Sequence, residues 1–422
     1  MGMDVAITGM GVVSALGHAP AELYDRLARD EVAIEEVPWT RGNPDRYEWW
    51  APVRDFDASP WLDDKTLAGT DPFAQQAVGA AGMALAQAGI DNPDPLRTAI
   101  VLGTAKGGTQ TMERAQYHAD TKGREGVSSK LMIKVWPNMA ASQIAMRWQL
   151  HGPCLTLSTA CASSLDAIGM GAKLIASGMA DVAIVGGTEG GLAHDIGGDD
   201  YIPATAYGRY AYGMGNQVDD ARRACMPFDQ QRGGMVFGEG TGIFVLESAE
   251  RAQARGAKIL GYVQGWGTAA DSYHPSTPDP TGQWERRAME LALDDAGVSP
   301  DVIDALAAHG TGTPKGDIAE IRAINKLYGD HAKDVSVMSI KGTLGHSTGA
   351  AGAVAAVVAL EGMARGEVIH TGGTSDPEPE IDFDLVLGAP RKKPVRWMQL
   401  NAFGFGGQNA SLVISANASK SG

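Results

Sequence analysis

Cys161, His309 and His346 each stand where an apolar run gives way to a turn of small residues. The run Leu155-Thr156-Leu157-Ser158-Thr159-Ala160 leads to Cys161, and Ala162-Ser163-Ser164 follows it. Leu165, Ile168, Ala172, Ile175 and Met179 then recur at helical spacing. A thiol at such a junction faces the unpaired N–H groups and positive dipole of a helix start. That field favours the thiolate, the nucleophilic form. A cysteine among small residues is more commonly a packing residue, so Cys161 alone decides nothing. Ala305-Leu306-Ala307-Ala308 opens a second such junction, His309-Gly310-Thr311-Gly312-Thr313-Pro314-Lys315-Gly316-Asp317. Val335–Ile340 opens a third, Lys341-Gly342-Thr343-Leu344-Gly345-His346, which enters a small-residue helix through Val354, Val357, Val358 and Leu360. One thiol and two imidazoles on strand-to-loop junctions make a nucleophile-plus-imidazole set.

The elements that must hold this set alternate. Strand-like runs are Val5–Thr8, Thr98–Leu102, Leu155–Leu157, Val182–Val185, Ile243–Leu246, Leu306–Ala308, Val335–Ile340 and Ser411–Ile414. Helical runs between them include Ala74–Ala88, Ser163–Ser177, Trp284–Asp295 and Gly349–Ala364. Alternation of this kind predicts an α/β fold with largely buried sheets. The helix after Cys161 ends near Gly178 and the one after His346 near Gly366, a faint internal echo. A polar stretch at Ser248–Gly261 suggests a boundary, dividing the chain into residues 1–250 and 251–422.

Longer motifs carry a resemblance. Val5-Ala6-Ile7-Thr8-Gly9-Met10-Gly11, Thr159-Ala160-Cys161, Val185-Gly186-Gly187-Thr188-Glu189, Pro227-Phe228-Asp229 and Gly238-Glu239-Gly240 occur in that order. With the two histidine loops and Asn401-Ala402-Phe403-Gly404-Phe405-Gly406-Gly407-Gln408-Asn409, they span nearly the whole chain. In these residues the chain resembles the β-ketoacyl-[acyl carrier protein] synthases, of the ketosynthase II-like kind and the type II polyketide subunits in particular. The resemblance implies a thiolase-like fold: two pseudo-symmetric halves in a layered αβαβα sandwich, the first carrying the nucleophile and the second His309, His346 and Lys341. It implies decarboxylative Claisen condensation of an acyl group on Cys161 with malonyl-acyl carrier protein. The backbone N–H groups of Cys161 and Phe405 would bind the oxyanion, and the Phe405 ring would gate the acyl pocket. Thr311, Thr313 and Ser276 would meet the pantetheine arm. Leu131 and Met132 would reach across a dimer interface to the partner's pocket. No cofactor or metal is expected, since phosphopantetheine arrives on the acyl carrier protein. The expected assembly is a homodimer, or a heterodimer with a homologous chain-length factor, in the cytoplasm.

Two departures bear on the pathway. Ala355 stands nine residues after His346, where many stand-alone synthases carry glutamate. Modular polyketide enzymes lack it too, which points away from housekeeping fatty acid synthesis. Lys106 aligns with an apolar residue of the acyl tunnel, so it either turns aside or needs a partner, water or a polar substrate.

Bulk properties agree. The 422 residues are 44% hydrophobic and 20% charged, enough for a sizeable core. A net charge of −15 argues against nucleic acid or an anionic membrane as partner. An acidic carrier protein would then need a local basic patch, with Lys130, Lys134, Arg209, Arg222 and Arg223 as candidates. Cys154, Cys161 and Cys225 fit neither a zinc pattern nor a disulfide framework. No signal peptide is evident, and no run approaches the roughly 18 apolar residues of a membrane helix. Trp39, Trp49, Trp50 and Trp61 cluster between Pro38 and Trp61, and four tyrosines cluster between Asp195 and Gly215; both stretches could be loop packing or interface. Gly9-Met10-Gly11 begins like a dinucleotide fingerprint, but Ser14 occupies the third glycine position, which rules that reading out. Competing classes are a housekeeping fatty acid ketosynthase, a non-catalytic chain-length-factor subunit, a thiolase and a cysteine hydrolase. Cys161 with both histidines and Lys341 disfavours the last three.

Overall fold

The computed structural model describes residues 4–40, 47–191, 201–212 and 215–418. The aromatic stretch Asp195–Gly215 therefore lies partly outside the described residues. Eleven strands form one hydrogen-bonded sheet: β1 (Val5–Ser14), β2 (Thr98–Gly103), β3 (Cys154–Leu157), β4 (Val182–Glu189), β5 (Gly240–Ser248), β6 (Gly261–Ala270), β7 (Ala305–Ala307), β8 (Ser336–Met338), β9 (Asp384–Leu385), β10 (Trp397–Gly404) and β11 (Gln408–Ser415). Their spatial order is β9-β8-β7-β10-β11-β6-β1-β5-β4-β2-β3.

That order contains a duplication. The first half runs β3-β2-β4-β5-β1 and the second β8-β7-β10-β11-β6. Ranked by chain position both read third, second, fourth, fifth, first. From its outer strand each half has two parallel pairings and then two antiparallel ones. Within the sheet, among the described residues, the two halves pair where Val5, Ala6 and Ile7 meet Val263, Tyr262 and Gly261. The echo read from the sequence is thus a pseudo-two-fold relation, and the fold is the thiolase-like α/β arrangement expected.

Helices complete five layers. Helix α1 (Pro72–Ala88) packs with the outer face of the first half. Helices α2 (Ser163–Ala176) and α5 (Ala351–Arg365) share the central core between the halves, while α3 (Gln283–Ala296) and α4 (Pro314–Tyr328) cover the outer face of the second. The central pair is built from small residues so that backbones can approach: a Cβ on Gly352 would lie 2.5 Å from Leu165. Ser164 Oγ accepts the Ala353 N–H at 3.0 Å across that contact.

Three of these strands escaped the sequence reading, β6, β10 and the two-residue β9. β6 and β10 are interrupted by Gly265, Gly267, Gln399 and Asn401, which break the apolar runs. β1 also extends past Thr8 through Gly9-Met10-Gly11. A Cβ at Gly9 would lie 2.0 Å from the Ala84 carbonyl oxygen of α1, and one at Gly11 2.1 Å from that of Ala80. Gly265 and Gly267 of β6 repeat the device against Ala292 and Ala288 of α3. These glycines serve packing between strand and helix. Gly9→Ala is expected to destabilise the fold by about 1–3 kcal/mol through overpacking. The measurement is the thermal unfolding midpoint, and an unchanged midpoint would mean that α1 has slack.

Candidate active site

The site forms where loops from both halves meet. Cys161 occupies a one-turn 3-10 helix, Ala160–Ala162, between β3 and α2. Ala160 has φ +49°, a left-handed conformation that costs a non-glycine residue about 1 kcal/mol or more. Local bonds hold it there: Ser163 Oγ donates to the Ala160 carbonyl at 2.6 Å and accepts the Thr159 N–H at 2.9 Å. Thr159 Oγ1 donates to Asp166 at 2.5 Å, and Trp266 of the second half donates to the same carboxylate at 3.0 Å. The turn thereby presents Sγ outward from the helix start.

His346 meets the thiol directly, with Nε2 3.1 Å from Sγ. Its backbone is pinned on both sides, its N–H donating to Val236 at 2.7 Å and its carbonyl accepting from Gly238 at 2.9 Å. The His309 ring stands at 82° to that of His346, 5.3 Å between centroids. Thiol and imidazole ligand atoms all lie within 4.8 Å of one another. Among the described residues this is the only His/Cys/acid group close enough to hold a metal, which would block the thiol. Burial, then the Lys341 charge, holds both imidazoles well below the usual histidine range, so both are neutral near pH 7. Lys341 is buried, and its Nζ donates to the His309 carbonyl oxygen.

The thiol departs from the expectation drawn from its helix start. Burial pushes Cys161 up to about 11, while Lys341 and the backbone N–H groups of Phe405 and Cys161 pull the other way. Desolvation wins because the sulfur is enclosed. Alkylation of Cys161 by iodoacetamide should therefore quicken about tenfold per pH unit from pH 7 to 10, following the thiolate fraction. A plateau between pH 7 and 9 would show a thiolate already formed.

A cavity of about 340 Å³ leads to these groups, lined also by Thr311, Thr313, Ser276, Phe403 and Phe405. Thr311 and Thr313 hydrogen-bond each other at 3.0 Å, and Ser276 lies beside His274. Gly406 and Gly407, after Phe405, both have positive φ, and their N–H groups donate to Pro275 and Gly404. They set a tight turn as well as flanking the ring.

Known proteins match the chain along nearly its whole length. The family profile "Beta-ketoacyl synthase, N-terminal domain" covers residues 3–252, and "Beta-ketoacyl synthase, C-terminal domain" covers 260–374. The chain belongs to the β-ketoacyl synthase family. It is 34% identical over 412 residues to the 3-oxoacyl-[acyl-carrier-protein] synthase 2 of Staphylococcus aureus (strain N315), covering 97% of each chain. The solved ishigamide ketosynthase/chain length factor superposes with a TM-score of 0.89 at 30% identity, covering 99% of this chain and 100% of that one. A type II PKS acyl-carrier protein in complex with its ketosynthase bound to the hexaketide gives 0.88 at 25% identity, covering 99% and 100%. This synthase is an acyltransferase that carries out β-ketoacyl condensation.

Other anticipated residues lie away from the thiol. Leu131 and Met132 sit on the short helix Leu131–Val135, away from the cavity of their own chain, with Met132 half exposed. Ala355 is buried in α5. Lys106 turns inward: its Nζ donates to the Gly190 carbonyl at 2.8 Å, and its charge reaches His346. Arg209, a docking candidate from sequence, is also directed inward, its guanidinium 4.9 Å from the Phe237 ring centre. Arg222 is engaged with Asp30 at 2.5 Å.

Three buried acids were not singled out as site residues. Glu320 of α4 accepts the His309 and Gly310 N–H groups, each at 2.7 Å, and burial lifts its carboxyl to about 7. Asp317, one turn earlier, accepts from Thr311 at 3.0 Å and Phe228 at 2.6 Å. Glu189 ends β4 and accepts from Ala105, Lys106, Thr348 and Gly349 at 2.7–3.0 Å, which ties the two halves together. Acids spaced i, i+3 just after a Gly/Thr loop were the available signal for the first two.

Proposed function

We propose that this synthase extends polyketide chains by a two-stage reaction on Cys161. In the first stage His346 takes the thiol proton at 3.1 Å as sulfur attacks an acyl thioester. The pantetheine thiolate leaves, takes up a proton, and an acyl-Cys161 thioester remains. Backbone N–H groups of Cys161 and Phe405 lie close enough to the sulfur to draw its pKa downward in the resting site. The same donors suit the oxyanion on the acyl carbon, and such a donor contributes about 3 kcal/mol in a dry site. In the second stage malonyl thioester loses carbon dioxide, and the electrons of the broken C–C bond pass to an enolate. His309, as a neutral imidazole, donates Nε2–H to the enolate oxygen, and His346 does the same once its own ring proton has moved from Nδ1 to Nε2. The α-carbon attacks the acyl carbonyl, and Cys161 departs as a thiolate that takes up a proton through His346 to restore the thiol. Lys341 holds the His309 carbonyl and keeps both imidazoles neutral. In this reading the acyl and malonyl groups arrive on the phosphopantetheine of an acyl carrier protein, and the cavity lined by Thr311 and Thr313 is its path to Cys161.

The observation that carries the chemistry is the Sγ–Nε2 contact beside two N–H donors. The polyketide assignment is supported by Lys106 in the pocket region, by Ala355, and by likeness to the ishigamide ketosynthase/chain length factor. A fatty acid role has its own support in the 34% identity to 3-oxoacyl synthase 2.

An assembled pair is part of the proposal. β3 is an outer edge strand, with Cys154 and Leu155 exposed. Met132, Ile133, Trp136 and Met146 are exposed on nearby helices. An open strand edge with exposed apolar residues suits closure by a second copy or a homologous chain-length subunit. The test supplies acyl and malonyl carrier proteins, with and without such a subunit, and identifies products by mass spectrometry. Repeated extension with retained oxygen functions is expected. Rapid elongation of saturated acyl chains to membrane length would establish the fatty acid role instead.

A further inference from the structure

A second cavity, of about 430 Å³, adjoins the first across Phe405 and Ser276, which line both. Two cations enter it, Lys106 from the loop after β2 and Arg209 from the helix Ala204–Tyr212. The Gly190 carbonyl occupies one of the three ammonium donors of Lys106. Arg209 rests on the Phe237 ring, and burial lowers its pKa to about 10. Among the described residues, neither cation has a carboxylate within ion-pair distance. The acids that act on them from farther off are Glu239 for Lys106, and Glu48 and Glu113 for Arg209. Glu239 is itself buried, its carboxyl lifted to about 7, so it is a weak counter-charge.

A plain hydrocarbon chain would displace water from both cations and offer them no acceptor, which deepens their desolvation cost. An anionic oxygen would offset that cost with charge-assisted hydrogen bonds. We propose that this cavity receives an acyl chain bearing an anionic oxygen group remote from its thioester, a carboxylate or an enolised β-diketone, and that Lys106 and Arg209 bind that group. The proposal rests on the acyl-Cys161 reading above. It makes the two cations specificity-determining residues for the acyl half of the reaction.

The test compares three pantetheine thioesters of equal chain length on the full chain: hexanoyl, 5-carboxypentanoyl and 3,5-dioxohexanoyl. The rate of Cys161 acylation is followed by intact-protein mass spectrometry. At least one oxygenated thioester should react about tenfold faster than hexanoyl, the scale of one charged hydrogen bond. Whichever is faster identifies the carboxylate or the diketone as the favoured group. In Lys106→Met and in Arg209→Met the ratio should fall towards one. Because the ratio is taken within each protein, partial misfolding does not alter it. Hexanoyl reacting as fast in the unmodified chain, or a ratio unmoved in both variants, overturns the proposal alone. Acylation by none of the three overturns the acyl-enzyme reading and this proposal with it.

Discussion

Cys161→Ala is expected to lose both acylation and condensation, with rates at background. No neighbouring group can replace the sulfur, since His346 and His309 are imidazoles held neutral and Lys341 is committed to the His309 carbonyl. Cys225 is buried and its Sγ faces the Thr311 carbonyl at 3.4 Å; burial pushes its thiol up to about 12. Cys154 is exposed on the outer edge strand. Alanine at either of those positions should leave acylation near its original rate. Intact-protein and peptide mass spectrometry after exposure to an acyl thioester decides the matter. Acyl mass on Cys154 or Cys225 would overturn the assignment.

The two histidines should separate by stage. His309→Ala should abolish condensation but keep Cys161 acylation within about tenfold, because the hydrogen bond to the sulfur comes from His346 and the proposed role of His309 is at the enolate. His346→Ala should slow acylation as well, by about 100-fold, since it removes the one imidazole among the described residues within hydrogen-bond reach of the thiol. The family resemblance implies a malonyl-stage role for both; the proposed mechanism adds a first-stage role for His346 because its Nε2 lies 3.1 Å from the thiol. Single-turnover acylation measured separately from malonyl-dependent product formation tests the difference. Equal acylation rates in the two variants would remove His346 from the first stage.

The site was legible where chemistry requires an unusual residue at a junction of regular elements. Cys161, His309 and His346 stood out because each follows a short apolar run and precedes small residues. What packs around them was less visible. Glu320 and Asp317 were not singled out from the sequence, and only the fold shows them buried beneath the His309 loop. Arg209 looked like surface charge. The thiol's upward shift depends on how much of the molecule encloses it, a property of tertiary burial that local dipoles do not report. In the fold, alternation located most strands, yet β6 and β10 were hidden by glycine and amide residues whose reason lies in the helix or strand opposite.

The seam between the duplicated halves has a consequence for recombination. Cys161 belongs to the first half, and His309, Lys341 and His346 to the second. The Glu189 clamp crosses between them through Thr348 and Gly349. A chimera joined after Ser248 from two divergent relatives would inherit a complete thiol turn and complete imidazole loops. Its reacting atoms would still be set by side chains that had never been selected to meet. Each half can therefore vary freely on its outer helices, while the facing surfaces must change in step, and grafted halves should fold more readily than they turn over substrate.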